Sequence, residues 1–378
     1  MTSRPSARDV AIIGGGIIGA ATAAFLAAEG ASVTLYERAA IASAASGRNS
    51  GVIQQPFDPV LADLYRESVS LYRALPPQAS FVLPAEPVGL LCVGWDEARP
   101  REVAAAWAAM YPETRPEVVS GAALRDLEPA LAPDVVACRI GIGYPVVPAA
   151  ATQAYAGLAE SRGASFRVGV EAGLAVRDDI AIGVEVDGQV ERAGRVVVAA
   201  GPWSPAIIDP SGGWRPIVGL WGVVADIALA NPPRHPIEEI EIEHEIEPVE
   251  KGPESAGAVS FTLMTAGGSS SLGSTFLGVE PDPARFAEAL RERGARFVPE
   301  IAGAPIRGLR ACARPLALDG RPLVGAVPGI DRAFIAAGNG PWGISTGPAT
   351  GRQIADLVLG RDARIPPALD PARFGAIG

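Results

Sequence analysis

Three side chains in the stretch GLRACARPLALDGRPLVG, Gly308 to Gly325, have types and spacing that could do chemistry together: Arg310, Cys312 and Arg314. They stand at every second position, so a strand through them points all three to one face. A guanidinium fork grips a carboxylate bidentately and fixes its orientation. A thiol between two cations is a candidate nucleophile, because a cationic neighbourhood lowers its pKa. The plainer alternatives are an inert buried thiol for Cys312 and, for Arg310, an ion pair with one of the many acids instead of a second clamp. Another set opens the chain. Gly14, Gly16 and Gly19 form GxGxxG, and Glu37 follows 18 residues after Gly19. In such a set the first glycine permits a tight turn, the second lets backbone approach a pyrophosphate, and the third packs helix on strand. The acid accepts from ribose hydroxyls and favours an adenosine without a 2′-phosphate.

These residues need a frame, and DVAIIGGGIIGAATAAFLAAEGASVTLYER supplies one. Val10 to Ile13 reads as a buried strand, GAATAAFLAAEG as an Ala-rich helix closed by Gly30, and SVTLYE as a second strand. The glycines therefore lie where a βαβ dinucleotide unit needs them, with the helix N-terminus offering free N–H groups to phosphates. The motif alone does not separate NAD from FAD. Directly afterwards comes ASAASGRNSGVIQQP, small and polar, with no apolar periodicity. Ser46, Gly47, Arg48 and Asn49 would reach a cofactor that extends away from the first loop, as FAD does; a solvated loop is the alternative.

Composition narrows the class. A chain of 378 residues with 48% hydrophobic content buries a large core, and its length suggests two domains. A net charge of -10 argues against nucleic acid as partner. Cys92, Cys138 and Cys312 are odd in number and scattered, which indicates neither a disulfide framework nor a zinc site, and no metal is expected. The apolar run Val10 to Gly30 contains glycines and lacks a basic flank with a cleavage site, so no membrane span or signal core is read from it. A soluble cytoplasmic protein is expected.

Four segments in order resemble the flavin-dependent amine and D-amino-acid oxidoreductases, a family that includes glycine oxidase, monomeric sarcosine oxidase and D-amino-acid dehydrogenase. They are the βαβ unit, ASGRNSG, RVVVAAGPWSP (Arg195 to Pro205), and LDGRPLVGAVPGIDRAFIAAGNGPWGISTGPATGRQIADLVLG (Leu318 to Gly360). The resemblance implies an α/β fold: a Rossmann-like FAD-binding domain with a second, mainly antiparallel β-sheet substrate domain, in the discontinuous two-domain arrangement of the glutathione-reductase type. Residues 1–85, 145–215 and 305–378 would form the FAD-binding domain, and 86–144 and 216–304 the substrate-binding domain.

It also implies roles. Gly201 and Trp203 match the family's Ala-Gly-x-Trp, although an indole is more often core than catalyst, and Val170 stands where backbone meets the adenine. Gly338 to Gly343 would contact the isoalloxazine, which brings in Gly338, Gly340, Pro341, Trp342 and Gly343, with Ile344 in the same loop, ahead of the helix TGPATGRQIADLVLG. That helix would stabilise negative charge on the reduced flavin. Many relatives have Gly-His-Gly where this chain has Gly338-Asn339-Gly340, so Asn339 is given a polar contact and no proton transfer. In sarcosine oxidase and its close relatives a cysteine seven residues before the Asp of this unit carries the flavin through a thioether. Cys312 stands seven before Asp319. Many members hold FAD noncovalently, and both arrangements stay open. Arg314 keeps the spacing of the arginine that binds the substrate carboxylate in glycine oxidase.

The expected activity is hydride removal from the carbon beside an amine in a small amino acid (a D-amino acid, glycine or an N-alkyl one), with O2 or an electron-transfer acceptor as the final oxidant. No acid-base side chain is required if the amine binds neutral. Two other readings remain: an NAD-dependent dehydrogenase sharing the βαβ unit, and a flavin-binding scaffold or assembly subunit without turnover. EEIEIEHEIEPVE reads as a strand with one wet face, which makes His244 a pleat position, and Lys251 is placed at the surface. VSFTLMTAGGSSSLGSTFLG reads as a hairpin, and the resemblance implies that it floors the pocket.

Overall fold

The computed structural model describes residue 6 and residues 9–77, 81–240 and 259–377. The first forty residues fold as their pattern predicts. Asp9–Ile13 is a strand, Ile17–Ala28 a helix that ends before Gly30 at φ 74°, and Ser32–Glu37 a second strand parallel to the first. The apolar run is thus strand, turn and a 12-residue helix, and among the described residues no helix is long and apolar enough to cross a membrane.

That unit is the centre of a six-stranded sheet in the order Leu323–Ala326, Ala333–Ala337, Arg195–Val198, Asp9–Ile13, Ser32–Glu37, Ser165–Val168. Five strands run parallel; Leu323–Ala326, at the edge, is antiparallel. Successive side chains leave on opposite faces. Val10, Ile12, Val33 and Leu35 pack beneath the helices Ile17–Ala28, Pro59–Arg73, Ala150–Ser161 and Gly343–Val358. Ala11, Ile13, Val196 and Val198 pack on a meander of Gly173–Arg177, Ile180–Val186 and Gln189–Arg192. A strand covered on both sides reads as a continuous apolar run, which is what VAII and VVV are.

A second sheet has eight strands in the order Ile306–Ala317, Ile217–Ile227, Ser269–Gly273, Thr262–Ala266, Ile237–Glu239, Leu90–Gly94, Val136–Ile140, Glu117–Val119. Neighbours are antiparallel except Ile237–Glu239 beside Leu90–Gly94, which are parallel. One face is apolar: Val223, Ala225, Leu263 and Leu272 pack with Leu290 and Phe297 of the helix Ala287–Phe297. The opposite face presents Val224, Thr262, Met264 and Glu238 to a cavity. The hairpin Thr262–Ala266 to Ser269–Gly273 turns at Gly267 and Gly268, φ 58° and 78°, the pair of positive angles a two-residue hairpin turn requires.

Several local expectations change. The polar loop after the βαβ unit contains a one-turn helix, Ala45–Arg48, and a short strand, Val52–Ile53. The C-terminal helix begins at Gly343, ahead of TGPATG. The arginine-bearing strand Ile306–Ala317 pairs along its whole length with Ile217–Ile227 in the eight-stranded sheet, and only past Gly320, φ 77°, does the chain enter the six-stranded one. Cys92 and Cys138, far apart in sequence, face each other across adjacent strands. Of EEIEIEHEIEPVE only Glu238 and Glu239 are described as strand, the end of Ile237–Glu239; residues 241–250, with His244, and Lys251 lie outside the described residues.

Candidate active site

Between the two sheets lies a cavity of about 870 Å³. Its walls start at the Gly14–Ile18 turn, pass Tyr36–Ala39 and the Ser43–Val52 loop, and end against the eight-stranded sheet and the Asn339–Ser345 loop. Most predicted site residues line it: Gly14, Gly16, Glu37, Ser46, Arg48, Asn49, Val170, Gly201, Trp203, Cys312, Arg314, Asn339, Gly340, Pro341, Trp342, Gly343 and Ile344, with Arg48 reaching the strand that carries Cys312. Gly19, Gly47 and Gly338 do not line it. A Cβ on Gly19 would strike the Gly14 carbonyl and one on Gly47 the Ala42 carbonyl, while Gly338, φ 97°, turns behind Ala317. Their contribution is to the packing that holds the lining.

The glycine end has a dinucleotide cradle. Gly14 sits at φ 115°, open to glycine and strained for other residues, and a Cβ there would come 2.7 Å from the Ala199 carbonyl carbon. Glu37 receives Gly15 N–H at 2.7 Å on Oε2 and Ala39 N–H at 2.9 Å on Oε1. A carboxylate has about four acceptor positions, so both oxygens retain capacity for hydroxyls. The helix N-terminus is less open than the motif alone suggests, because Ile17 N–H donates to Ser46 Oγ at 3.0 Å. Val170 N–H donates to Glu37 O at 3.0 Å, which seats its backbone beside the acid. Trp203 is half-buried on the cavity wall, with the Arg38 guanidinium 4.1 Å from its ring centroid, and is not a core indole.

The alternation in RACAR is a strand, and its three polar side chains part company. Arg310 pairs with Asp226 and donates to the carbonyls of Arg48 (3.1 Å) and Asn49 (3.0 Å). It therefore staples the Ser46–Asn49 turn onto the strand; of its two readings, the ion pair is the one seen. Asn49 spends its amide on Ala45 O and Ser46 O and its oxygen on Gly51 N–H, so its side chain shapes the turn. Cys312 is buried, and its thiol reaches Arg48 O at 3.7 Å. Burial pushes the thiol pKa up, against the opposing pull of Arg314, Arg310 and Arg48. The expected lowering by cations is thus outweighed by desolvation.

Arg314 leans across Gly222, which leaves room where a Cβ would come 2.6 Å from its Cζ. It donates to Thr275 O at 2.9 Å and Ser274 Oγ at 2.5 Å and lies 4.7 Å from the Phe276 ring centroid. These partners are neutral or aromatic, and among the described residues no carboxylate forms an ion pair with it. Burial lowers its pKa, yet guanidinium stays charged at any working pH. A half-buried cation with two of five donors engaged is a prepared anion site.

Asn339 is fully buried. Its Nδ2 donates to Thr346 Oγ1 at 2.9 Å and Thr350 Oγ1 at 3.0 Å, while Oδ1 has no hydrogen-bond partner among the described residues. It fastens the loop to the first turns of Gly343–Val358, a positioning role. Sequence reading missed Gln54, Trp221, Glu238, Thr262 and Ser274, which also line the cavity. They come from elements distant in sequence, without motif spacing; only the hairpin assigned as a pocket floor pointed toward Thr262 and Ser274.

The comparisons with known proteins agree with this geometry. The sequence pattern described as FAD dependent oxidoreductase matches residues 9–357. Glycine oxidase of Pseudomonas aeruginosa is 27% identical over 383 residues, covering 98% of each chain. The crystal structure of glycine oxidase from Geobacillus kaustophilus superposes with a TM-score of 0.81 at 24% identity, covering 98% of this chain and 99% of that one. Iminodiacetate oxidase from Chelativorans sp. BNC1 gives 0.80 at 25% identity, covering 96% and 98%. The glycine cradle, the Glu37 carboxylate and a cavity lined from both sheets fit FAD, whose adenosine-diphosphate end Gly14, Gly16, Glu37 and Ser46 would hold. Family pattern and geometry thus lead to one assignment: this chain belongs to the FAD dependent oxidoreductase family.

Proposed function

We propose that the protein oxidises a small amino acid or secondary amine, a D-amino acid, glycine or an N-alkyl amino acid, to an imine that water hydrolyses. Bound FAD supplies a hydride acceptor at N5 for the hydrogen on the carbon beside nitrogen. Arg314 carries this reading: it is a half-buried cation without an acidic partner among the described residues, on the cavity wall. It grips the substrate carboxylate and so fixes the reacting C–H against the cofactor wall. The relatives named glycine oxidase and iminodiacetate oxidase support an amino-carboxylate substrate. The turn at Asn339 and the N-terminal end of Gly343–Val358 supply backbone N–H groups to the cavity, where negative charge accumulates on reduction. FAD is held without a bond to Cys312, whose thiol is buried and raised in pKa.

The test is anaerobic mixing of purified yellow holoenzyme with an amino-acid panel, following loss of flavin absorbance, and then a peroxide assay in air. Bleaching by at least one amino carboxylate is expected; peroxide marks O2 as the final acceptor, and its absence marks an electron-transfer partner. In Arg314→Ala, carboxylate affinity should fall about 30- to 5,000-fold, the equivalent of about 2–5 kcal/mol for losing one member of a desolvated charge pair. Unchanged affinity defeats the clamp, and absence of bleaching by every amine defeats the activity in favour of a scaffold.

A further inference from the structure

A second cation reaches the strand that carries Arg314. Arg48 ends the one-turn helix Ala45–Arg48, and three contacts tie it to that strand. Its carbonyl accepts from Arg310 Nε at 3.1 Å and from the Cys312 thiol at 3.7 Å, and its own guanidinium donates through Nη1 to Ala311 O at 3.3 Å. Ser46, two residues earlier, turns toward the glycine loop and accepts Ile17 N–H; Arg48 turns to the strand. The residue is exposed and lines the cavity. One of its five donors is engaged, and among the described residues no carboxylate forms an ion pair with it. Asp226, on the neighbouring strand, is committed to Arg310.

Arg314 comes to the same part of the wall by another route. Its Cζ lies over Gly222, which stands opposite Cys312 on the adjacent strand, while Arg48 Nη1 is bonded to the residue before Cys312. Against the burial that raises the Cys312 pKa, Arg314 and Arg48 both pull it down, so the two guanidiniums lie within electrostatic reach of one sulfur. Two cations so placed, neither with an acidic partner among the described residues, are stabilised together by a ligand that carries two negative charges. A single carboxylate fills the Arg314 fork and leaves Arg48 open. A second carboxylate on the same molecule completes the pairing.

We propose that Arg48 is a specificity residue that takes a second carboxylate of the substrate, making the preferred substrate an amino dicarboxylate. This rests on the carboxylate grip of Arg314 proposed above. The test is equilibrium titration of the holoenzyme with malonate, succinate and glutarate, each against the monocarboxylate of equal carbon count, propanoate, butanoate or pentanoate, which has a methyl in place of the second carboxylate. Binding is read from perturbation of the bound flavin's visible spectrum. At least one dicarboxylate should bind wild type about tenfold more tightly than its counterpart, the equivalent of about one charge-assisted hydrogen bond. Arg48→Met, close in length and uncharged, should bring that dicarboxylate down to its counterpart's affinity. Arg48→Lys, which keeps the charge and loses the fork, should retain only part of the preference. A wild type that prefers no dicarboxylate, or an Arg48→Met variant that keeps the preference, overturns the proposal. If Arg48→Met yields no holoenzyme, Arg48→Lys decides, and an undiminished preference there overturns the proposal too. Arg314→Ala should weaken all of these ligands. If instead none weakens while the dicarboxylate preference follows Arg48, the Arg314 grip is wrong and the Arg48 assignment stands.

Discussion

At Cys312 two forces compete for one proton. The surrounding arginines pull the thiol toward thiolate, and desolvation pushes harder the other way. A thioether to a ring methyl needs the thiolate, since the thiol is a poor nucleophile. The sulfur is also engaged, with Arg48 O as its contact. Acid precipitation of the holoenzyme should therefore leave a colourless pellet and a yellow supernatant. A coloured pellet in wild type that turns colourless in Cys312→Ser would establish the bond that the thiol's environment disfavours. Arg310 resolves differently. Its cation is neutralised by Asp226 and its remaining donors hold a turn, so it supports the cavity loop from behind and leaves Arg314 as the strand's ligand-facing charge.

On the scale of elements, the arginine strand functions because its neighbour gives way. Opposite Cys312 stands Gly222, and Arg314 bends through the space that a side chain there would occupy. Since the obstructing atoms are the end of a flexible side chain, Gly222→Ala should displace the guanidinium and leave the backbone in place. Loss of about 100-fold in kcat/KM for a carboxylate substrate is expected, with FAD content and thermal midpoint unchanged, because a displacement of about 1 Å suffices for such a loss. A variant with native kcat/KM would show that Arg314 does not need this passage. The strand and its alternation are plain in RACAR, as is the βαβ unit in its glycines, because each is a local pattern. The one-turn helix Ala45–Arg48 is invisible to periodicity, being shorter than two turns. Gln54 and Glu238 escape for another reason: they meet only when the first segment of the chain docks on a sheet assembled from four separated ones. Where Gly320 hands the chain from one sheet to the other is equally non-local, for an Asp-Gly turn reads as a hairpin until the partners of each strand are known.

At the scale of the whole molecule, the two sheets share a wall, and the cofactor site proposed here is that wall. Its lining comes from the βαβ unit, the Ser43–Val52 loop, the strand ending at Val198, the eight-stranded sheet and the C-terminal helix, so no single sheet binds FAD. Binding therefore requires both sheets folded and docked, and ligand free energy becomes folding free energy. At free FAD one hundred times its Kd this adds about 2.7 kcal/mol. Unfolding entropy near 2.1 cal/mol/K per residue gives about 0.8 kcal/mol/K for 378 residues, so the thermal midpoint should rise on the order of 3 °C over the apoprotein. Stripping FAD with acid and bromide, then titrating it back during thermal melts, measures this. The midpoint should climb with the logarithm of free FAD, and Glu37→Gln, which also replaces an oxygen that receives a backbone N–H, should lower the apoprotein midpoint and shift that curve to higher FAD. A midpoint indifferent to FAD would mean that the folded chain does not bind FAD in preference to the unfolded one and that the shared wall is not its site.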